Sequence, residues 1–283
     1  MRQFLIVFSS IILLFLISGC DNGENRPQVS GQEGVENSPE KDAQIQKYNL
    51  EQQKKFAATR TPCDTLSIKE YILHNYPQGN YLVNFDKLFS YSLPKPALIY
   101  FERDKRYIFA VIAKSREGER LIEPQNIVGY DQSFIDLDST ELGTAYFFLT
   151  LFKCESGFIE KKWESLIPSH GGFNRITLQF WKYKGTPFIK VNFHYGRGTG
   201  HIDYNYFLID GIENKPHLLM TYEGINFKRT ITNYNNDKYP DYYEHIYYDL
   251  GDRIFSKDSV AFVWNDKDSV YVNTKNNRQT RPY

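Results

Sequence analysis

From Ala97 onward the apolar residues of this chain return at every second position, and that period allows few folds. Apolar or aromatic runs occupy 97–101, 107–113, 144–152, 176–183, 186–195, 202–209, 217–222, 225–232, 242–250, 259–264 and 269–273. Turn-forming residues part many of them: Lys184-Gly185, Gly196 to Gly200, Asp210-Gly211, Glu223-Gly224 and Asn265-Asp266. Side chains of a strand alternate between two faces, so short alternating runs between such turns specify antiparallel strands. Tyr107–Ala113 and Tyr146–Phe152 are apolar on both faces and are expected to be central strands; the later runs keep one face wet. The pattern predicts an all-β fold, an antiparallel meander of about ten or more strands with one short N-terminal helix. Residues 174–222 and 225–273 read alike, a spacing of about 50 residues, which suggests propeller-like blades. A barrel or a sandwich fits the same runs.

The β-rich domain is expected over residues 61–274, with a polar tail at 275–283 expected to fray. Its helix is predicted over Ser67–Tyr76: Ser67 and Glu70 form a capping-box pair, and Ile68, Tyr71 and Ile72 share a face. Pro77 and Gly79 end it. Before the domain, Asn22 to about Asp42 carries almost no large apolar residue, and such a stretch cannot offset its ordering entropy. Residues 20–60 therefore read as a tether, with a weak helix over Ala43–Ala58. The balance of 34 basic and 34 acidic residues argues against a nucleic-acid partner.

The N-terminus has a different character. Arg2 precedes an apolar run, Phe4 to Ile17, of 14 residues; that is short of the ~20 a spanning helix needs and fits a secretory signal over residues 1–19. Ile17-Ser18-Gly19-Cys20 follows, and it resembles the lipobox of bacterial lipoproteins. The resemblance implies cleavage before Cys20 and acylation of its sulfur and α-amino group, palmitate being the typical chain type. It also implies a body held at a bacterial membrane, the outer membrane favoured, in the periplasm or at the cell surface. Losing residues 1–19 removes one base, Arg2, and no acid, which leaves a net charge of −1.

Between two expected strands lies Asn233-Tyr-Asn235-Asn-Asp237-Lys-Tyr239-Pro-Asp241. Oxygen side chains at positions 1, 3, 5 and 9 let a tight loop surround a hard cation, with the carbonyl of position 7 turned inward. The stretch resembles the calcium loops of FG-GAP and VCBS-type β repeats. Carried over, the ligands are Asn233, Asn235, Asp237, the Tyr239 carbonyl and Asp241, and Glu244 can add to the shell. Asn233 stands where the family has Asp, and Lys238 where it has the Gly that adopts a positive φ.

Three further groups draw notice. With apolar faces matched, strands 188–195 and 202–209 must pair in a register of odd residue-number sums, which gathers His194, His201 and Asp203 on one polar face. Cys63 and Cys154 remain beside the acylated Cys20, and an exported chain can hold them as a disulfide or as buried thiols. Tyr242 and Tyr248 are expected on one face of their strand and Tyr243 and Tyr247 on the other, so one pair is covered or offered to a sugar or protein. No persuasive catalytic set emerges. The sequence points to a lipid-anchored envelope protein that binds a protein or glycan partner, with a calcium-stabilised hairpin. An envelope hydrolase built on His194, His201 and Asp203, or an immunity-type lipoprotein that blocks a toxin, are the alternatives.

Overall fold

The period of two is realised as fourteen strands among the residues described by the structure, a computed structural model, namely 39–57, 59–83, 96–115, 145–168, 173–195 and 200–283. The expected signal segment over residues 1–19 and Cys20 lie outside them. Two helices come first, α1 (Pro39–Phe56) and α2 (Thr65–Asn75). The strands are β1 (Asn80–Leu82), β2 (Leu98–Tyr100), β3 (Tyr107–Ser115), β4 (Ala145–Glu155), β5 (Phe158–Ile167), β6 (Phe173–Phe180), β7 (Pro187–Tyr195) and β8 (Gly200–Phe207). After them come β9 (His217–Gly224), β10 (Lys228–Thr232), β11 (Asp241–Asp249), β12 (Ile254–Asn265), β13 (Val270–Asn273) and β14 (Gln279–Thr280).

They form two antiparallel sheets. In the first, the order is β1-β3-β4-β5, and β2 shares the β1 side of β3: β2 opposes Ile108–Ala110, β1 opposes Ile112–Lys114. In the second, β6 to β14 each pair with the next, a meander of nine strands. The propeller-like expectation is thereby corrected. Hydrogen bonding runs unbroken from strand to strand, so the 50-residue repetition marks stretches of one sheet and not separate blades.

Alternation decides which side chains meet. Phe109, Val111 and Ala113 of β3 and Phe147, Leu149 and Leu151 of β4 face Ile189, Val191 and Phe193 of β7 and Tyr204 and Tyr206 of β8. The sheets therefore pack face to face over their N-terminal strands. Tyr206 donates its hydroxyl to the Leu166 carbonyl (2.8 Å), and Trp163 its indole N–H to the Ile212 carbonyl (2.8 Å), so the buried polar tips in this core are satisfied.

The other face of β3, Ile108, Ala110 and Ile112, is buried too, beneath Ile68 and Ile72 of α2. That is why β3 is apolar on both faces. The helix begins two residues earlier than the capping-box pattern suggests. Asp64, not Ser67, is the N-cap, and its carboxylate accepts from the Ser67 amide (2.8 Å). Cys63 is joined by a disulfide to Cys154 of β4, with Cα atoms 6.1 Å apart, so the start of α2 is tied to the sheet it covers.

Two boundaries differ from expectation. The helix expected over Ala43–Ala58 is present as an 18-residue helix, Pro39–Phe56; it starts four residues earlier than expected and belongs to the compact unit Asn37–Tyr283. Leu50 is buried, and Lys54 forms an ion pair with Glu70 of α2, and these hold α1 in place. The polar tail does not fray. Gln279 and Thr280 pair with β13, and the Pro282 carbonyl accepts the Met220 amide of β9 (3.0 Å). The late strands thus curl back toward β9 around Leu219, Tyr242, Phe262 and Tyr271.

Candidate functional site

Three alternate hairpin connections, β6–β7, β8–β9 and β10–β11, meet at residues 233–240, which join β10 to β11 from the pair Thr232 and Asp241. Lys184, in the β6–β7 turn, donates to the carbonyl (3.0 Å) and the side-chain oxygen (2.7 Å) of Asn236. Lys238 reaches Asp210 (2.9 Å) in the β8–β9 connection. Asn236 takes the left-handed conformation with φ 62°, which asparagine tolerates. Lys238 is therefore spared the backbone geometry for which the repeat family uses glycine.

Within the loop, each polar side chain closes a short turn. Asn235 accepts from the Asp237 amide (3.0 Å), and Asp237 accepts from the Tyr239 amide (2.7 Å). Asp241 is fully buried. One of its oxygens accepts the amides of Tyr234 (2.7 Å) and Asn235 (3.3 Å), the other that of Trp264 on β12 (3.1 Å). Burial raises the Asp241 pKa; the three amides pull it back, and the Asp237 charge adds to the rise. Among the described residues no cation forms an ion pair with Asp241, and the buried side-chain oxygen of Asn233 has no hydrogen-bond partner.

Those two facts bear on calcium. A buried carboxylate beside a second one, without a cation, together with an orphaned amide oxygen, suits a hard cation. Asn233, Asn235, Asp237 and Asp241 fit that donor set, with the Tyr239 carbonyl in the same loop. Glu244 is corrected out of it. It lies within β11, opposite Arg229, accepts the Tyr222 hydroxyl (3.0 Å) and stands 3.7 Å from the Arg229 guanidinium. Three strand residues beyond Asp241 carry it away from the loop. Among the described residues no three His, Cys, Asp or Glu side chains converge; the loop supplies two carboxylates, and the rest are amides and a carbonyl.

The β7–β8 register has the odd sums expected, with His194 opposite His201 and Asn192 opposite Asp203. It does not set up a base. Asp203 is buried, with one oxygen bound by Lys190 (2.9 Å) and the other by Asn192 (2.5 Å). The His201 ring stands 3.6 Å from Asp203 and is partly exposed. A carboxylate tied to an ammonium and an amide organises the sheet face. Lys190 and Asn192 were legible as members of that polar face, but their hold on Asp203 follows only from the folded register.

Sequence reasoning missed an aromatic cluster beside the loop. His217 contacts the Tyr271 hydroxyl (2.8 Å) and sits edge-on to Trp264, ring centroids 4.5 Å apart, with Tyr239 also in contact range. Burial pushes its pKa down to about 3, against a smaller opposing pull from Asp266. The four residues come from four different segments, so no local spacing announces them.

The tyrosines of β11 divide differently from the expected pairs. Tyr242 is buried and stacks on Phe262, whereas Tyr248 is exposed and stacks on Phe255. Pairing with β10 ends at His245 and pairing with β13 begins at Phe262, so the intervening part of the β11–β12 hairpin projects from the sheet. Ile246, Leu250 and Ile254 are exposed along this arm.

The fold and its loops define an antiparallel two-sheet β protein with a helical cover. No family model, no curated protein and no solved structure matches the chain.

Proposed function

We propose that this chain is a lipid-anchored binding protein of a bacterial envelope, acylated at Cys20, with a calcium-stabilised connection between β10 and β11. The observation that carries the anchoring is Ile17-Ser18-Gly19-Cys20 directly behind the 14-residue apolar run. Among the described residues no helix is long and apolar enough to cross a membrane. The binding role is supported by the projecting β11–β12 arm, whose Tyr248 and Phe255 stack side by side in the open. Exposed aromatic and aliphatic side chains on a protruding hairpin suit a protein partner. We place the hydrolase reading second, because Asp203 is already engaged by Lys190 and Asn192. The immunity-type reading is one form of the same binding role.

Calcium at Asn233, Asn235, Asp237 and Asp241 serves stability in this reading. With two carboxylates its affinity belongs in the range of extracellular modules, about 10⁻⁴ to 10⁻³ M. Partner capture by the full chain in detergent, with calcium and with chelator, tests the function. The expected result is a partner retained by wild type and lost when Tyr248 and Phe255 are both changed to Ser. Retention by that variant sinks the assignment of the arm. For the ion, a melting temperature unmoved by 5–10 mM calcium (a range set at roughly ten times the expected constant) removes the calcium claim.

A further inference from the structure

A cleft of about 160 Å³ opens where α1, α2 and β1 meet. Its construction is unusual for a helix seam. Among the described side chains of α1 only Leu50 is buried, while Ile45, Tyr48 and Phe56 of the same helix are exposed. What α1 offers to the cleft beside Leu50 is a row of carboxamides, Gln46, Asn49 and Gln53. A helix packed to build a core would place apolar side chains there.

From the opposite wall come two groups with unused capacity. Lys69 of α2 donates to the Gln53 side-chain oxygen (3.0 Å) and has no ion-pair partner among the described residues; neighbouring Glu70 is taken by Lys54. An ammonium has three hydrogens, so two of them remain for another acceptor. Burial lowers the Lys69 pKa, as expected for a cation held partly out of water without a counter-charge. Asn80 of β1 is 6 % exposed. Its amide nitrogen donates to the Pro77 carbonyl (2.5 Å), and its oxygen is buried with no hydrogen-bond partner among the described residues. A buried acceptor of this kind is costly unless something donates to it.

We infer that this cleft is a binding site for a small carboxylate that carries an adjacent N–H donor, the chemistry of an N-acylated amino acid. The carboxylate goes to Lys69 and the carboxamide N–H groups of α1. The N–H goes to Asn80, whose side-chain oxygen is closed to water in the unliganded chain and must turn toward the cleft to accept it. Leu50, Ile72, Leu73 and Leu82 give the ligand's short side chain an apolar wall. The cleft is smaller than the common range for drug-sized ligands, which sets the size of the occupant. The site shares no residue with the lipobox or with the β10–β11 connection, so it survives or fails independently of both proposals.

Calorimetric titration of the full chain in detergent micelles with three probes tests it. N-acetylalanine carries both groups, N-acetylalaninamide lacks the anion, and propionate lacks the N–H. The expected result is a dissociation constant on the order of 1 mM for N-acetylalanine and binding at least about tenfold weaker for each of the other two. Lys69→Met is expected to weaken N-acetylalanine about tenfold and leave the weak binding of the amide unchanged. If that variant does not fold, the three probes on the wild-type chain decide alone, and Asn49→Ala on the exposed rim, expected to weaken binding about threefold, supplies the second variant. No heat with N-acetylalanine up to about 50 mM, which is far above the expected constant, overturns the site. Equal binding of all three probes, or binding indifferent to Lys69→Met in a folded variant, overturns it as well.

Discussion

Two polar residues, buried Asp241 and half-buried His217, carry the consequences that can be tested at the scale of single side chains. Asp241 closes the β10–β11 connection by accepting three backbone amides, those of Tyr234, Asn235 and Trp264. Asp241→Ala strands those donors, and stranded buried donors cost about 1–3 kcal/mol each before relaxation. The expected loss in urea unfolding is about 3 kcal/mol or more, with Asp241→Asn losing roughly half of that. A loss under about 0.5 kcal/mol, the range of surface substitutions, would mean that the loop is not built this way. His217 gives the pH dependence. Its pKa is near 3 in the folded chain, against an ordinary value of about 6.5. The unfolded chain therefore binds the proton first, and stability falls as pH drops from about 6.5 toward 3. Between pH 7 and pH 5 the expected loss from this residue is about 2 kcal/mol. His217→Phe should flatten that part of the pH profile, and a profile as steep as wild type contradicts the assignment.

At the scale of elements, the disulfide between Cys63 and Cys154 is the clearest lever, because it ties the α2 segment to β4 across a sequence separation of 91 residues. Closing a loop of that length constrains the unfolded chain by about 4 kcal/mol. Reduction is expected to lower stability by that order and to expose two thiols beyond Cys20. A denatured, unreduced chain with Cys63 and Cys154 both titratable would rule the bridge out. The elements also show why some of the fold was legible and some was not. β3 and β4 were clear because both faces are covered, so nearly every residue is apolar. β5 was missed because it pairs only with β4 and carries Glu160, Lys161, Lys162 and Glu164, as a charged edge strand does. β14 was read as a frayed tail because two polar residues that pair with β13 carry no periodic signal. The start of β12 was missed because the exposed arm has no core to impose alternation. At the sites, loop spacing was visible locally, whereas Glu244, Asp203 and His217 gain their partners from other strands.

At the scale of the whole molecule, a helix-covered sheet packs on a long meander that curls back on itself through Met220 and Pro282. The curl leaves the β11–β12 arm outside and the β10–β11 connection at a crowded end of the sheet. The cleft under α1 lies close in sequence to the point where the chain leads back to Cys20. Under the proposed acylation at Cys20 no electrostatic attraction to a membrane is needed, and the net charge of −1 left by removal of residues 1–19 would provide none. Everything proposed about location and partner access rests on that attachment. Mass spectrometry of the N-terminal peptide, taken from the full chain recovered from bacterial membranes, tests it most directly. The expected peptide begins at Cys20 and carries acyl chains on that residue; a chain that begins elsewhere, or an unmodified Cys20, contradicts the account.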